Sequence, residues 1–163
     1  MKTSTSSRHV SKSKTSKVNP NLGIVNGIEV EPHSLPYMAA IRTTINEKTV
    51  LCGGSLIISS LVLTAARCLD GATEVEITLG AHNIDESEDG QVTLISTEFI
   101  IHPDYDRDSM VNDIALIGLP SDVPFNGNID RVVLPGRGDV ANTYDEELGM
   151  VAGWGKSKRY RVY

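Results

Sequence analysis

The chain has 163 residues, 40% hydrophobic and 5% aromatic, and no apolar run long enough for a membrane helix. Its formal net charge of -6 is uneven: Lys2, Arg8, Lys12, Lys14 and Lys17 precede residue 23 without one acid, so the remainder carries about -11. An acidic body without a Lys/Arg stripe or interleaved aromatics argues against nucleic acid and membrane as partners.

Residues 1–23 form a Ser-, Thr- and Lys-rich leader with too little apolar surface to order itself, so disorder is expected. A secretory signal would need an apolar stretch of roughly 7–15 residues, which the leader lacks. A transit peptide would need an amphipathic apolar face, also missing. From Ile24 onward short apolar runs alternate with turn signals, at 38–43, 50–51, 55–59, 61–66, 75–79, 91–101, 113–119 and 150–154. Glu74-Val75-Glu76-Ile77-Thr78-Leu79 alternates polar and apolar, as a strand with one buried face does. Asn-Glu-Lys, Asp-Gly-Ala, Glu-Asp-Gly and Asn-Gly-Asn supply the turns. The pattern predicts an all-β antiparallel barrel or sandwich. Such domains often run to about 200–250 residues, so the fold is expected to be incomplete here. Two cysteines, Cys52 and Cys68, allow one disulfide or two buried thiols, and no neighbouring pattern points to a metal.

Five blocks then follow in order: Cys52-Gly53-Gly54-Ser55-Leu56-Ile57 with Leu61-Val62-Leu63-Thr64-Ala65-Ala66-Arg67-Cys68; Leu79-Gly80-Ala81-His82-Asn83-Ile84; Asn112-Asp113-Ile114-Ala115-Leu116-Ile117; and Gly153-Trp154-Gly155-Lys156. Together they resemble the chymotrypsin-like (S1) serine proteases, and their wording is similar to the brachyurin-like, collagenolytic branch. The resemblance implies two six-stranded antiparallel barrels. Residues 24–120 would be the first barrel, 121–149 the linker, and 150–163 the first strand of an otherwise missing second barrel with a divergent end.

The family's chemistry uses a serine nucleophile, a histidine base and a buried carboxylate that orients the histidine. Asp113 matches the family acid. The family's histidine position holds Arg67, which is always protonated and has no lone pair to accept a proton. The nucleophile's Gly-Asp-Ser-Gly-Gly run is absent from these 163 residues. Ile24-Val25-Asn26-Gly27 matches the family's activation-type amino terminus, but Gly23 stands where a basic residue normally precedes it. The family pairs Cys52 with Cys68. A calcium loop found in some relatives would begin with a carboxylate where Ala81 stands, so residues 85–89 read as a solvated acidic hairpin and no metal or other cofactor is expected.

A peptidase S1 homologue, inactive as written, is therefore expected, with an Arg67–Asp113 ion pair in place of the histidine contact. The alternatives are an active secreted endopeptidase, if the chain is one part of a longer protein, and a non-catalytic binding or decoy module for a protein or peptide partner. The family implies an extracellular location.

Overall fold

The computed structural model describes residues 2–5, 27–139 and 142–155. Its strands are β1 (Lys2–Thr5), β2 (Ile28–Glu29), β3 (Met38–Ile45), β4 (Lys48–Ile58), β5 (Leu61–Thr64), β6 (Val75–Leu79), β7 (Val92–Ser96), β8 (Phe99–Ile101), β9 (Ala115–Gly118) and β10 (Met150–Gly153). Short 3₁₀ turns at Ala66–Cys68 and Arg137–Asp139 are the only helical segments among the described residues. None of these is long and apolar enough to cross a membrane. The chain divides into two compact units, residues 32–134 and residues 1–31 with 135–163.

The larger unit is one antiparallel sheet of seven strands in the order β7-β6-β3-β4-β5-β9-β8. Its first hairpin joins Ile45 to Lys48 across Asn46 and Glu47, whose φ values of 50° and 63° match a type I′ turn. The two strands at the ends of the order, β7 and β8, are consecutive in sequence and separated only by Thr97 and Glu98. The sheet must therefore curl back on itself. Ser96 locks the corner: its hydroxyl donates to the Gly118 carbonyl at 2.5 Å and accepts the Glu98 N–H at 3.0 Å. The uninterrupted run expected at 91–101 is thus two strands, whereas the runs expected at 50–51 and 55–59 are one continuous strand, β4.

The interior follows from register. Ile41 lies opposite Ile77, and Val62 lies between Leu56 and Ile117. All five are fully buried, and each contributes roughly 1.5–3 kcal/mol by leaving water. Gly54 is required here, because a Cβ would stand 2.7 Å from Val62 Cγ1 and 2.8 Å from Ile41 Cδ1. Residues 121–134 were expected as linker, yet they run along the barrel. The Val123 N–H donates to Ser59, Asp130 to Pro36 and Val132 to Leu56, while Val123 and Ile129 enter the core.

The smaller unit holds a three-stranded antiparallel sheet in the order β10-β1-β2. Lys2 to Thr5 pair with Gly153 to Met150, and Lys2 and Thr3 also face Glu29 and Ile28. The leader's expected disorder therefore does not extend to Lys2–Thr5. Backbone pairing needs no apolar side chain, which is why composition gave no sign of it. Arg8, Lys12, Lys14, Lys17, Ile24 and residues 156–163 lie outside the described residues.

Candidate functional site

β5 and β9 pair antiparallel, with Thr64 opposite Ala115. The chain leaving β5 therefore meets the chain entering β9, and this alone brings position 67 beside position 113. Ala66–Cys68 turns as 3₁₀ with no side-chain cap from Ala65, so its leading N–H groups need acceptors. Asp113 supplies one. Its Oδ1 accepts the Arg67 backbone N–H at 2.9 Å, and its Oδ2 accepts from Arg67 Nη1. The expected ion pair forms, but one guanidinium nitrogen makes it instead of the two-pronged fork, because the turn's own N–H already holds the other oxygen. The Asp113 side chain is 14% exposed and that of Arg67 59%. A nearly buried carboxylate is thus neutralised by a cation that leans over it from the solvent side.

The turn is anchored elsewhere too. Cys68 is disulfide-bonded to Cys52 on β4, with their Cα atoms 6.2 Å apart. Thr64 Oγ1 donates to the Gly53 carbonyl at 2.9 Å. Asn112, at φ 58°, sends its Nδ2 to the Asp104 carbonyl at 2.8 Å and so fixes the approach to Asp113.

A second ion pair lies beside the first. Arg107 Nε donates to Asp70 Oδ2 at 2.5 Å. This hydrogen bond holds the Asp70 carboxyl below its ordinary range and pushes Arg107 further up. Burial, followed by the charges of Asp113 and Asp70, raises the Tyr105 phenol above its usual value. Arg67, Asp70, Tyr105, Arg107, Ile45 and Met110 contribute to the walls of a hollow of about 300 Å³. Asp70, Tyr105 and Arg107 escaped the sequence reading, since no motif marks them and their partners are 35 or more positions away in the case of Asp70 and Arg107. Chemically the hollow offers N–H donors and the Asp70 carboxylate, and position 67 contributes no proton acceptor.

The acidic hairpin differs from a simple solvated loop. Glu88 turns inward and accepts the N–H groups of His82 at 2.5 Å and Asn83 at 2.9 Å. Burial opposes its ionisation, but those two amides, together with His33 and His82, keep its carboxyl below the ordinary value. Among the described residues no group of three His, Cys, Asp or Glu is arranged to hold a metal.

Comparison with known proteins agrees with this architecture. The family model Trypsin matches residues 24–162. The chain is 41% identical over 139 residues to a chymotrypsin of Phaedon cochleariae, covering 85% of this chain and 50% of that protein. It is 43% identical over 135 residues to brachyurin of Leptuca pugilator, covering 81% and 55%. Among solved structures, one titled "Structure of GrC" superposes with a TM-score of 0.66 at 39% identity, covering 70% of this chain and 50% of that one. "HL collagenase" gives 0.65 at 35% identity, covering 71% and 49%. The chain spans about half the length of the curated relatives it matches. With its curled antiparallel sheet, its disulfide and these matches, the chain belongs to the trypsin family of S1 serine peptidases.

Proposed function

We propose that this chain is a non-catalytic member of the family, in which the barrel and its hollow serve as a recognition surface for a protein or peptide. One observation carries this: the residue that contacts Asp113 is Arg67. General-base catalysis needs a side chain that takes up a proton near neutral pH and returns it. A guanidinium does neither, because it stays protonated throughout that range. Asp113 keeps the carboxylate that would orient an imidazole but spends both oxygens on Arg67. This conclusion depends on position 67 alone and applies equally to any longer form. The disulfide favours an oxidising, extracellular setting.

The test has two arms. The purified chain should hydrolyse none of a mixed panel of chromogenic peptides and should take up no fluorophosphonate label; stoichiometric labelling of one serine would overturn the proposal. In an active brachyurin-type relative, arginine placed at the position matching Arg67 should lower kcat by on the order of a million-fold. Near-normal turnover there would show that arginine can serve.

A further inference from the structure

The barrel chemistry leaves Arg137, Gly138 and Asp139 unused. They form a short 3₁₀ turn in which all three residues are exposed and none is buried. The turn is closed by its own groups: the Asp139 N–H donates to the Gly136 carbonyl at 2.9 Å, and Asp139 Oδ2 accepts the Gly136 N–H at 2.9 Å. Asn142 extends it by donating its N–H to the Asp139 carbonyl at 2.9 Å. The aspartate is therefore held in place by one oxygen, while Oδ1 has no donor among the described residues.

Beyond the Asp139 Oδ2 contact that closes the turn, nothing among the described residues asks for these side chains. Arg137 makes no ion pair or hydrogen bond among the described residues, Asp139 included. Gly138 has no positive φ, and a Cβ there would meet nothing within 4 Å. The glycine is thus neither a conformational necessity nor a packing one. It leaves bare backbone between a cation and an anion. Successive side chains on a 3₁₀ turn stand about 120° apart, so Arg137 and Asp139 diverge around that gap instead of joining each other.

We propose that Arg137-Gly138-Asp139 is a docking site for an adhesion-type receptor protein that presents a bound divalent cation beside an acidic pocket. Magnesium keeps an octahedral shell and exchanges one water for a single carboxylate oxygen, which suits Asp139 Oδ1, the oxygen that does not close the turn. A carboxylate on the receptor takes the Arg137 guanidinium through two parallel N–H bonds. Gly138 lets the receptor backbone approach without a side chain in between. The turn is already closed before docking, so little ordering cost attends binding.

A cation-bridged contact differs from simple charge pairing in its demand for reach. The extra methylene of glutamate preserves the charge and displaces the oxygen. The experiment is biolayer interferometry of the immobilised full chain with purified integrin ectodomains in magnesium buffer. Saturable binding is expected, lost on adding EDTA and weakened at least about tenfold by Asp139→Glu and by Arg137→Gln. A soluble Gly-Arg-Gly-Asp peptide should compete, and a Gly-Arg-Gly-Glu peptide should not. Both variants should melt with the parent chain, because the turn buries nothing. Absence of binding to every ectodomain, or binding that survives EDTA or Asp139→Glu, would overturn the proposal.

Discussion

The two sheets are built from the same backbone pairing, yet they differ in what lies beneath it. In the seven-stranded sheet Ile41, Leu56, Val62, Ile77 and Ile117 interlock out of reach of water. In the three-stranded sheet Ile28 is 69% exposed and Val151 65% exposed. Hydrogen bonds between strands nearly cancel against those made to water, so pairing alone adds little. Burial makes the difference. The candidate site stands on the first kind of sheet, which is why Arg67 and Asp113 are placed by register, while among the described residues the small sheet shows no comparable core beneath its pairing.

The largest effect expected from this contrast is in the barrel interior. Ile77→Ala should cost about 2–5 kcal/mol in urea unfolding, whereas Val151→Ala should change stability by no more than ~0.5 kcal/mol. Equal losses would remove the distinction between the sheets. Next comes the Cys52–Cys68 bridge, which spans 16 positions. Replacing both cysteines with serine should cost about 3 kcal/mol on the chain-entropy account. Mass spectrometry of non-reduced peptides should recover the two cysteines linked.

Smaller effects separate the two ion pairs. A double-mutant cycle of Arg67→Ala with Asp113→Asn should show coupling of about 1–2 kcal/mol, since the acid is nearly buried. The more exposed Arg107–Asp70 pair should couple by less than about 1 kcal/mol. Additivity in the first cycle would mean that Arg67 does not hold the site.

Acid should act on the second pair in a fixed direction. The Asp70 pKa is lower folded than unfolded, so its contribution is complete above the ordinary aspartate value near pH 4 and fades as pH falls through the folded value. Arg107→Gln should accordingly move the acid-unfolding midpoint upward in a circular-dichroism titration. An unchanged midpoint would show that the pair contributes nothing. Smallest of all, deleting residues 1–22 should leave the barrel's melting temperature unchanged. It should raise hydrogen exchange at Met150–Gly153 and Ile28–Glu29, the two segments that Lys2–Thr5 pair with.

The sequence alone determined the all-β class and the family, and the family resemblance implied the Cys52–Cys68 link and an Arg67–Asp113 contact. Those conclusions rest on local patterns and on blocks whose wording is specific. Tertiary structure decided the rest. Residues 121–134 belong to the barrel because Val123 and Ile129 find room inside it, a matter of shape that composition does not encode. Asp70 meets Arg107 because the barrel brings two distant loops together. Lys2–Thr5 find order through main-chain hydrogen bonds, which every residue but proline can donate and no side-chain pattern announces.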